Sequence, residues 1–255
     1  RNIGVGSSRE KGVNVAKGNY IIHCDSDDWI EPTMYEEMYN LGLKNNADII
    51  GCDFIDEYPG CSEYRKQNFA LKGKEICKGI LEGTFHSGLW SRMVKREYIK
   101  SQNAHFIPNL NFMEDTLYVF SLHLNTNKTE YLPKGLYHYR QVNGGLTHCL
   151  NKKQLEHSLF VVKIIGSKIK GDDFLSQSYQ RAIAYHAQGL ITRLDSYDPN
   201  RWRNMTFKIP LSYFGSFYHR ISPFLVRMHF DRINKFLIRI IRSRCLDRIR
   251  RNESF

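Results

Sequence analysis

Short apolar runs alternate along the chain with longer stretches in which apolar residues return every three or four positions, and this change of period marks its elements. Residues 19–25, Asn-Tyr-Ile-Ile-His-Cys-Asp, and 47–54, Ala-Asp-Ile-Ile-Gly-Cys-Asp-Phe, are apolar runs that contain or end in acids and read as strands buried on two faces. Between them, Met34, Tyr35, Met38, Tyr39 and Leu43 predict an amphipathic helix over 31–46, with Pro32 near its first turn and Asn45-Asn46 as its stop. Strand, helix and strand in this order predict a crossover between parallel strands, and so an α/β sheet. A further helix is expected over 9–17, with Val13 and Ala16 inward and Gly18 at its end.

Downstream, 56–73 is polar and turn-rich and reads as a surface loop, followed by a short helix near 74–82 and a segment around Leu89-Trp90. Glu114 and Asp115 open an apolar helical pattern at Leu117, Tyr118, Phe120 and Leu124. Glu130-Tyr131-Leu132 and Leu136 to Arg140 are strand-like and separated by Pro133-Lys134-Gly135, which signals a hairpin. From about 152 the pattern is helical, over 152–170 and 173–195, and residues 221–249 read as one basic amphipathic helix. The expected organisation is an α/β domain over 1–150, a helical extension over 151–200 and a basic amphipathic tail over 201–255.

Composition changes this picture in one respect. The 42% hydrophobic content supports a packed core and excludes overall disorder. The net charge of +11 is unevenly placed: residues 201–255 hold 13 Lys and Arg against 3 Asp and Glu, and residues 1–200 hold 24 against 23. A uniformly basic nucleic-acid binder is thereby disfavoured, and the charge speaks for the tail alone. Six cysteines show no C-x-x-C pair and no zinc-type spacing, which points to a reduced, cytoplasmic compartment. No apolar stretch reaches the ~18 residues of a spanning helix and no signal peptide is evident. The first residue is Arg1 rather than Met, so the chain is expected to begin inside a longer protein.

Candidate chemistry is densest at Asp25-Ser26-Asp27-Asp28-Trp29, at the carboxyl end of an apolar run. Ligands of open α/β sheets gather beyond that end of the strands. Crowded carboxylates repel one another unless a cation or a substrate hydroxyl separates them, and hard oxygen donors suit Mg²⁺ or Mn²⁺. The competing reading makes Asp28 the cap of the next helix and leaves the other acids solvated.

The segment 4–21, GVGSSREKGVNVAKGNYI, together with Asp25-Ser26-Asp27-Asp28-Trp29, resembles the central part of family 2 inverting glycosyltransferases with the GT-A fold. Leu89-Trp90-Ser91-Arg92, Met113-Glu114-Asp115-Thr116 and Tyr137-His138-Tyr139-Arg140 follow in the order that bacterial members show, so the resemblance spans about residues 1–148. It implies a Rossmann-like GT-A mixed sheet, truncated at its amino end, followed by a helical carboxyl-terminal region. It also implies transfer of a sugar from a nucleotide-sugar donor to a glycan or lipid-linked acceptor, in the synthesis of cell-envelope polysaccharide.

The roles that the resemblance implies are these. Asp25 binds the ribose or sugar of the donor, and Asp27 coordinates a divalent metal, Mn²⁺ or Mg²⁺, on its diphosphate. Arg9 and Arg92 lie near that diphosphate, Arg92 replacing the more usual Lys. Asp115 is the general base, with Glu114 beside it contacting sugar hydroxyls or Arg92. From the residues alone, the favoured reading is that Glu114 and Asp115 complement the positive end of their helix, since acids in a first turn are common. Trp29 is assigned to acceptor stacking and Trp90 to the core. His86, in the loop from Thr84 to Gly88, borders the acceptor cleft in one reading. His138 approaches the metal in one reading and is structural in the other.

The basic tail is expected to lie on an anionic membrane surface, placing the protein at the inner face of the plasma membrane. The alternatives are an apolar stripe packed on the catalytic body and, for the whole chain, a non-catalytic sugar-binding remnant or a nucleic-acid-binding protein, which no recognised motif supports.

Overall fold

The structure, a computed structural model, describes residues 3–67, 72–141, 151–193, 200, 203–204, 209–214 and 217–240. The chain divides into two compact units, Arg1–Leu150 and Asn151–Phe255.

The first unit is built on a six-stranded sheet. Its elements are α1 (Val5–Val15), β1 (Tyr20–Ile22), β2 (Trp29–Ile30), α2 (Met34–Asn45), β3 (Ile49–Tyr58), β4 (Cys61–Arg65), α3 (Lys74–Glu82), a 3-10 turn at Leu89–Ser91, β5 (Arg92–Lys95), α4 (Arg96–Ser101), α5 (Glu114–Leu124) and β6 (Thr129–Arg140). The strand order is β1-β5-β3-β6-β2, with β4 paired to the outer half of β3. Among the described residues, β3 and β6 alone pair in parallel, which is the mixed sheet expected.

β3 is the centre of the unit because its side chains alternate between two cores. Ile50, Cys52 and Phe54 join Met34 and Met38 of α2 on one face, with Trp90, Met93, Leu136 and Tyr137. Ile49 joins Val94, Tyr98, Phe106, Tyr118, Val119 and Leu122 on the other, beneath α4 and α5. The strand–helix–strand reading is right in direction and wrong in adjacency. β1 and β3 run parallel, but β5 lies between them, antiparallel to both. β1 is therefore an edge strand, half-buried rather than buried on two faces.

Three further expectations are corrected. The loop over 56–73 contains β4, which turns back from β3 through Pro59-Gly60; Gly60 has φ 88, the left-handed position that glycine fills in a Pro-Gly turn. The hairpin at Pro133-Lys134-Gly135 is one continuous strand, β6. Its register against β3 jumps from Cys52↔Leu132 to Asp53↔Gly135, so Pro133 and Lys134 are accommodated in an irregularity where a proline, lacking its N–H, does least damage. Asp28 does not cap α2, whose cap position is Thr33.

In the second unit, α6 (Lys152–Lys168) and α7 (Asp173–Arg193) pack as a helical pair. α6 starts on a capping box: Asn151 accepts from the Gln154 N–H while the Gln154 side chain accepts from the Asn151 N–H. A 3-10 turn at Leu211–Tyr213 and α8 (Phe217–Arg227) follow, with Ala184, Ala187, Ile209, Phe214 and Val226 as their core. The single helix expected over 221–249 is broken at Met228–Phe230, after which residues 231–240 are helical. Residues 241–249, with Cys245, lie outside the described residues, as do Cys149 and the 142–148 end of the family-like region. Cys24 and Cys61 are exposed, Cys52 and Cys77 buried, and all four are free thiols. No helix among the described residues is long and apolar enough to cross a membrane.

Candidate active site

The glycines at the start of α1 explain how its arginine reaches the rest of the site. A Cβ on Gly6 would lie 2.9 Å from the Leu110 carbonyl oxygen, so only glycine lets α1 sit this close to the segment leading into α5. One turn later, Arg9 donates from Nη1 to Glu114 Oε1 at 2.6 Å and from Nη2 to Asp25 Oδ1 at 3.0 Å. Arg9 and Glu114 are largely buried, at 16% and 8% side-chain exposure, and Asp25 is 35% exposed. One guanidinium thus ties the acid after β1 to the first residue of α5, Arg9 itself lying 105 positions from Glu114.

Asp25 is fixed from a second direction by Tyr137, fully buried on β6 and stacked on Trp90 at 4.4 Å. The Tyr137 hydroxyl accepts from the Asp25 N–H at 3.1 Å and donates to Asp28 Oδ2 at 2.6 Å. The Arg140 N–H donates to the other Asp28 oxygen. Asp28 therefore shapes the turn; burial raises its pKa above the usual carboxylate value. Asp27, between them, is exposed and makes no hydrogen bond or ion pair among the described residues.

Glu114 and Asp115 begin α5 after Met113, whose φ of 60 is left-handed. Burial, then the Asp115 charge, pushes the Glu114 pKa up to about 7 against the opposing pull of Arg9. Burial also raises Asp115, opposed by the Thr116 N–H that Oδ1 accepts at 2.6 Å. Thr116 Oγ1 is in turn paired with Ser87 Oγ at 2.8 Å. Asp115 Oδ2 has no partner among the described residues. A carboxylate held by one oxygen, with its proton affinity raised and its other oxygen open, can accept a proton from a hydroxyl.

Arg92 occupies a different place from the one the sequence suggests. It is 2% exposed. Nη1 donates to the Gly88 carbonyl and Nη2 to the His86 carbonyl, and the guanidinium lies over the Phe85 ring. It braces the loop from Thr84 to Gly88, and burial pulls its pKa down to about 9. His86, on that loop, is open to solvent on one side and packs 5.0 Å from Phe54 and 5.1 Å from Trp90. The protein around it, and secondarily Arg92, pushes its pKa down to about 4. His23 packs edge-on to Phe106 and Tyr118.

Trp29 is 44% exposed and stacked on His138 at 5.1 Å, its cross-strand partner between β2 and β6. Both His138 ring nitrogens already face carboxylates, Nδ1 at 2.7 Å from Glu57 and Nε2 at 3.0 Å from Glu31, which leaves neither nitrogen directed at a metal. Among the described residues no group of three or more His, Cys, Asp or Glu converges as a metal cage. A cation shared with a diphosphate needs fewer protein ligands, and Asp27 is the exposed, unengaged hard-oxygen group that fits one.

Arg9, Asp25, Glu114 and Asp115 are thus brought together; Arg92, His86 and His138 serve neighbouring structure. Sequence reasoning missed Tyr137 as the bridge of the turn, and Ser87, Glu31 and Glu57 as partners. The alternation of Tyr137 and Tyr139 puts both on one strand face, but the turn that Tyr137 meets is set by the neighbours of β6.

Residues 1–106 match the profile described as Glycosyl transferase family 2. The chain is 29% identical over 165 residues to a cholesterol galactosyltransferase of Borreliella burgdorferi, covering 59% of this chain and 46% of that protein. It is 27% identical over 165 residues to the putative glycosyltransferase EpsH of Bacillus subtilis, covering 62% and 48%. The chain therefore spans about half the length of these curated relatives. A crystal structure of S. aureus TarS in complex with UDP-GlcNAc superposes with a TM-score of 0.54 at 14% identity, over 94% of this chain and 71% of that one, a likeness of fold.

Proposed function

We propose, from the match of residues 1–106 to the glycosyl transferase family 2 profile, that the protein transfers a sugar, with inversion, from a nucleotide-sugar donor to a hydroxyl of a glycan or lipid-linked acceptor of the cell envelope. The reading is carried by one observation. Arg9 joins Asp25, on the donor side, to Glu114, and Glu114 is followed directly by Asp115 with its open oxygen. The profile match ends at residue 106, and this ion pair joins the matched segment directly to an acid of α5. That a fold neighbour was crystallised with UDP-GlcNAc supports a nucleotide-sugar as donor.

In this mechanism Asp25 accepts hydrogen bonds from donor hydroxyls, and Arg9 holds it in place while neutralising part of the acidic cluster. Asp27 holds Mn²⁺ or Mg²⁺, which when bound offsets the charge of the departing diphosphate. Asp115 Oδ2 takes the acceptor hydroxyl's proton as that oxygen bonds to the anomeric carbon and the bond to the diphosphate breaks. A single displacement needs one such base, unlike the carboxylate pair of a retaining glycosidase. Trp29 offers an apolar ring face for the acceptor sugar, held flat by His138.

The test uses the full chain with UDP-, GDP- and dTDP-sugars and either metal, reading nucleoside diphosphate release and, by calorimetry, donor binding. Asp115→Asn is expected to lower release by ~10²-fold or more with donor binding retained, the scale of a lost general base. Undiminished release removes Asp115 from that role. Donor binding unchanged by chelation removes Asp27 from its own. Binding without release from any donor supports a non-catalytic sugar-binding protein instead.

A further inference from the structure

The break in the basic helical segment of the second unit leaves a cluster of large apolar side chains exposed. α8 ends in a closed C-terminal motif: the Phe230 N–H donates to the Leu225 carbonyl at 2.8 Å and the His229 N–H to the Val226 carbonyl at 3.1 Å, with His229 left-handed at φ 60. Phe230 then begins the next helical stretch by accepting from the Asn234 N–H. Val226, Asn234 and Ile238 point inward and are buried.

On the other side, Phe224, Met228, Phe230, Ile233 and Phe236 are each between 47% and 64% exposed. Five large apolar side chains within thirteen residues exceed the scattered exposure usual on a soluble surface. Arg232, Lys235 and Arg239 are exposed among them. The one acid in residues 217–240, Asp231, is already engaged by Arg203 at 3.3 Å.

We propose that this helix–turn–helix tip, residues 224–239, inserts its aromatic side chains into the surface of an anionic phospholipid bilayer. Charge selects this occupant. A second copy would bring a tail of net +10 against its like, whereas anionic headgroups attract each exposed Lys and Arg. Protruding Phe, Met and Ile side chains need a yielding apolar medium rather than a complementary pocket, and the acyl boundary supplies one. The surface is independent of sugar transfer, so it stands or falls separately from the acidic site.

The experiment floats the full chain with vesicles of phosphatidylcholine alone or mixed in equal parts with phosphatidylglycerol. Binding to the mixed vesicles only, released by high salt, is expected. Phe230→Ser combined with Phe236→Ser, and separately Arg232→Glu combined with Lys235→Glu, each lower partitioning at least tenfold with unchanged thermal midpoint; all four side chains are exposed. The salt response of the unaltered chain decides the matter if a variant does not fold. Equal binding to neutral vesicles, no binding, or binding that both variants retain overturns the proposal. So does salt-sensitive binding to a single-stranded oligonucleotide that displaces the vesicles, which favours nucleic acid, or self-association that the Phe variants abolish while vesicle binding is absent.

Discussion

Glu114 is the residue at which burial and pairing oppose each other most directly. Arg9 contacts it at 2.6 Å, yet burial and Asp115 together hold its pKa at about 7. A pKa raised in the folded state means that the protein binds a proton there which the unfolded chain has released. The stability this contributes is complete below the unfolded value of 4.5 and is lost as pH rises through about 7. The thermal midpoint of the protein is therefore expected to fall over that range, and that of Glu114→Gln to fall less. Asp115 is raised too, so the slope shrinks without vanishing; an unchanged slope would place the titration elsewhere. Tyr137 offers a second measurement. Tyr137→Phe removes a hydrogen bond to a carboxylate and one from the Asp25 N–H, a loss of ~1–3 kcal/mol for a buried pair. Because the lost bonds shape the turn that carries Asp25 and Asp27, donor KM is expected to rise more than kcat falls. The cluster of acids was visible in the sequence because it is contiguous. Tyr137 was not visible as its bridge, since that role depends on how β6 lies beside the turn, 109 residues away.

Elements with a strong local signal were legible and those defined by a distant partner were not. Met34 and Met38 repeat at helical spacing and both are fully buried in α2, as the period required. β5 is four residues, Arg92–Lys95, too short to show a period, and its insertion between β1 and β3 turned an expected neighbour pair into a three-strand array. Pro133 carried a real signal of interruption, but the parallel partner β3 decides that it is a register jump rather than a turn. Two helix-level predictions follow from backbone geometry. His229 occupies a left-handed position that costs a non-glycine residue ~1 kcal/mol; His229→Gly is expected to recover about that much in chemical denaturation. Gly166 of α6 lies against the Tyr179 ring of α7, where any Cβ would overlap the phenol. Gly166→Ala should therefore destabilise the helical pair by ~1–3 kcal/mol, the range for overpacking, and Tyr179→Phe should restore part of it. A loss that Tyr179→Phe leaves untouched would assign the cost to something other than that ring.

At the scale of the molecule, the charge asymmetry separates two functions by their response to salt. Residues 1–200 are nearly balanced, 24 basic against 23 acidic, and the +10 belongs to residues 201–255. The proposed transfer chemistry depends on the short, largely buried Arg9–Glu114 contact, and such contacts are weakly screened. The proposed lipid contact depends on exposed Arg and Lys facing a charged plane, where the Debye length shrinks from ~10 Å at 0.1 M salt to ~3 Å at 1 M. Titrating salt across that range with mixed phosphatidylcholine–phosphatidylglycerol vesicles present should release the protein from the vesicles. Nucleoside diphosphate release from a soluble donor should stay within about twofold, because the Arg9–Glu114 pair is largely buried and so weakly screened. If both fall in parallel, the site and the surface share their electrostatics and the acidic cluster is more open to ions than its burial implies. If only donor turnover falls, the tail binds through its apolar side chains alone, and the basic residues around Phe224 and Phe236 have been given a role they do not perform.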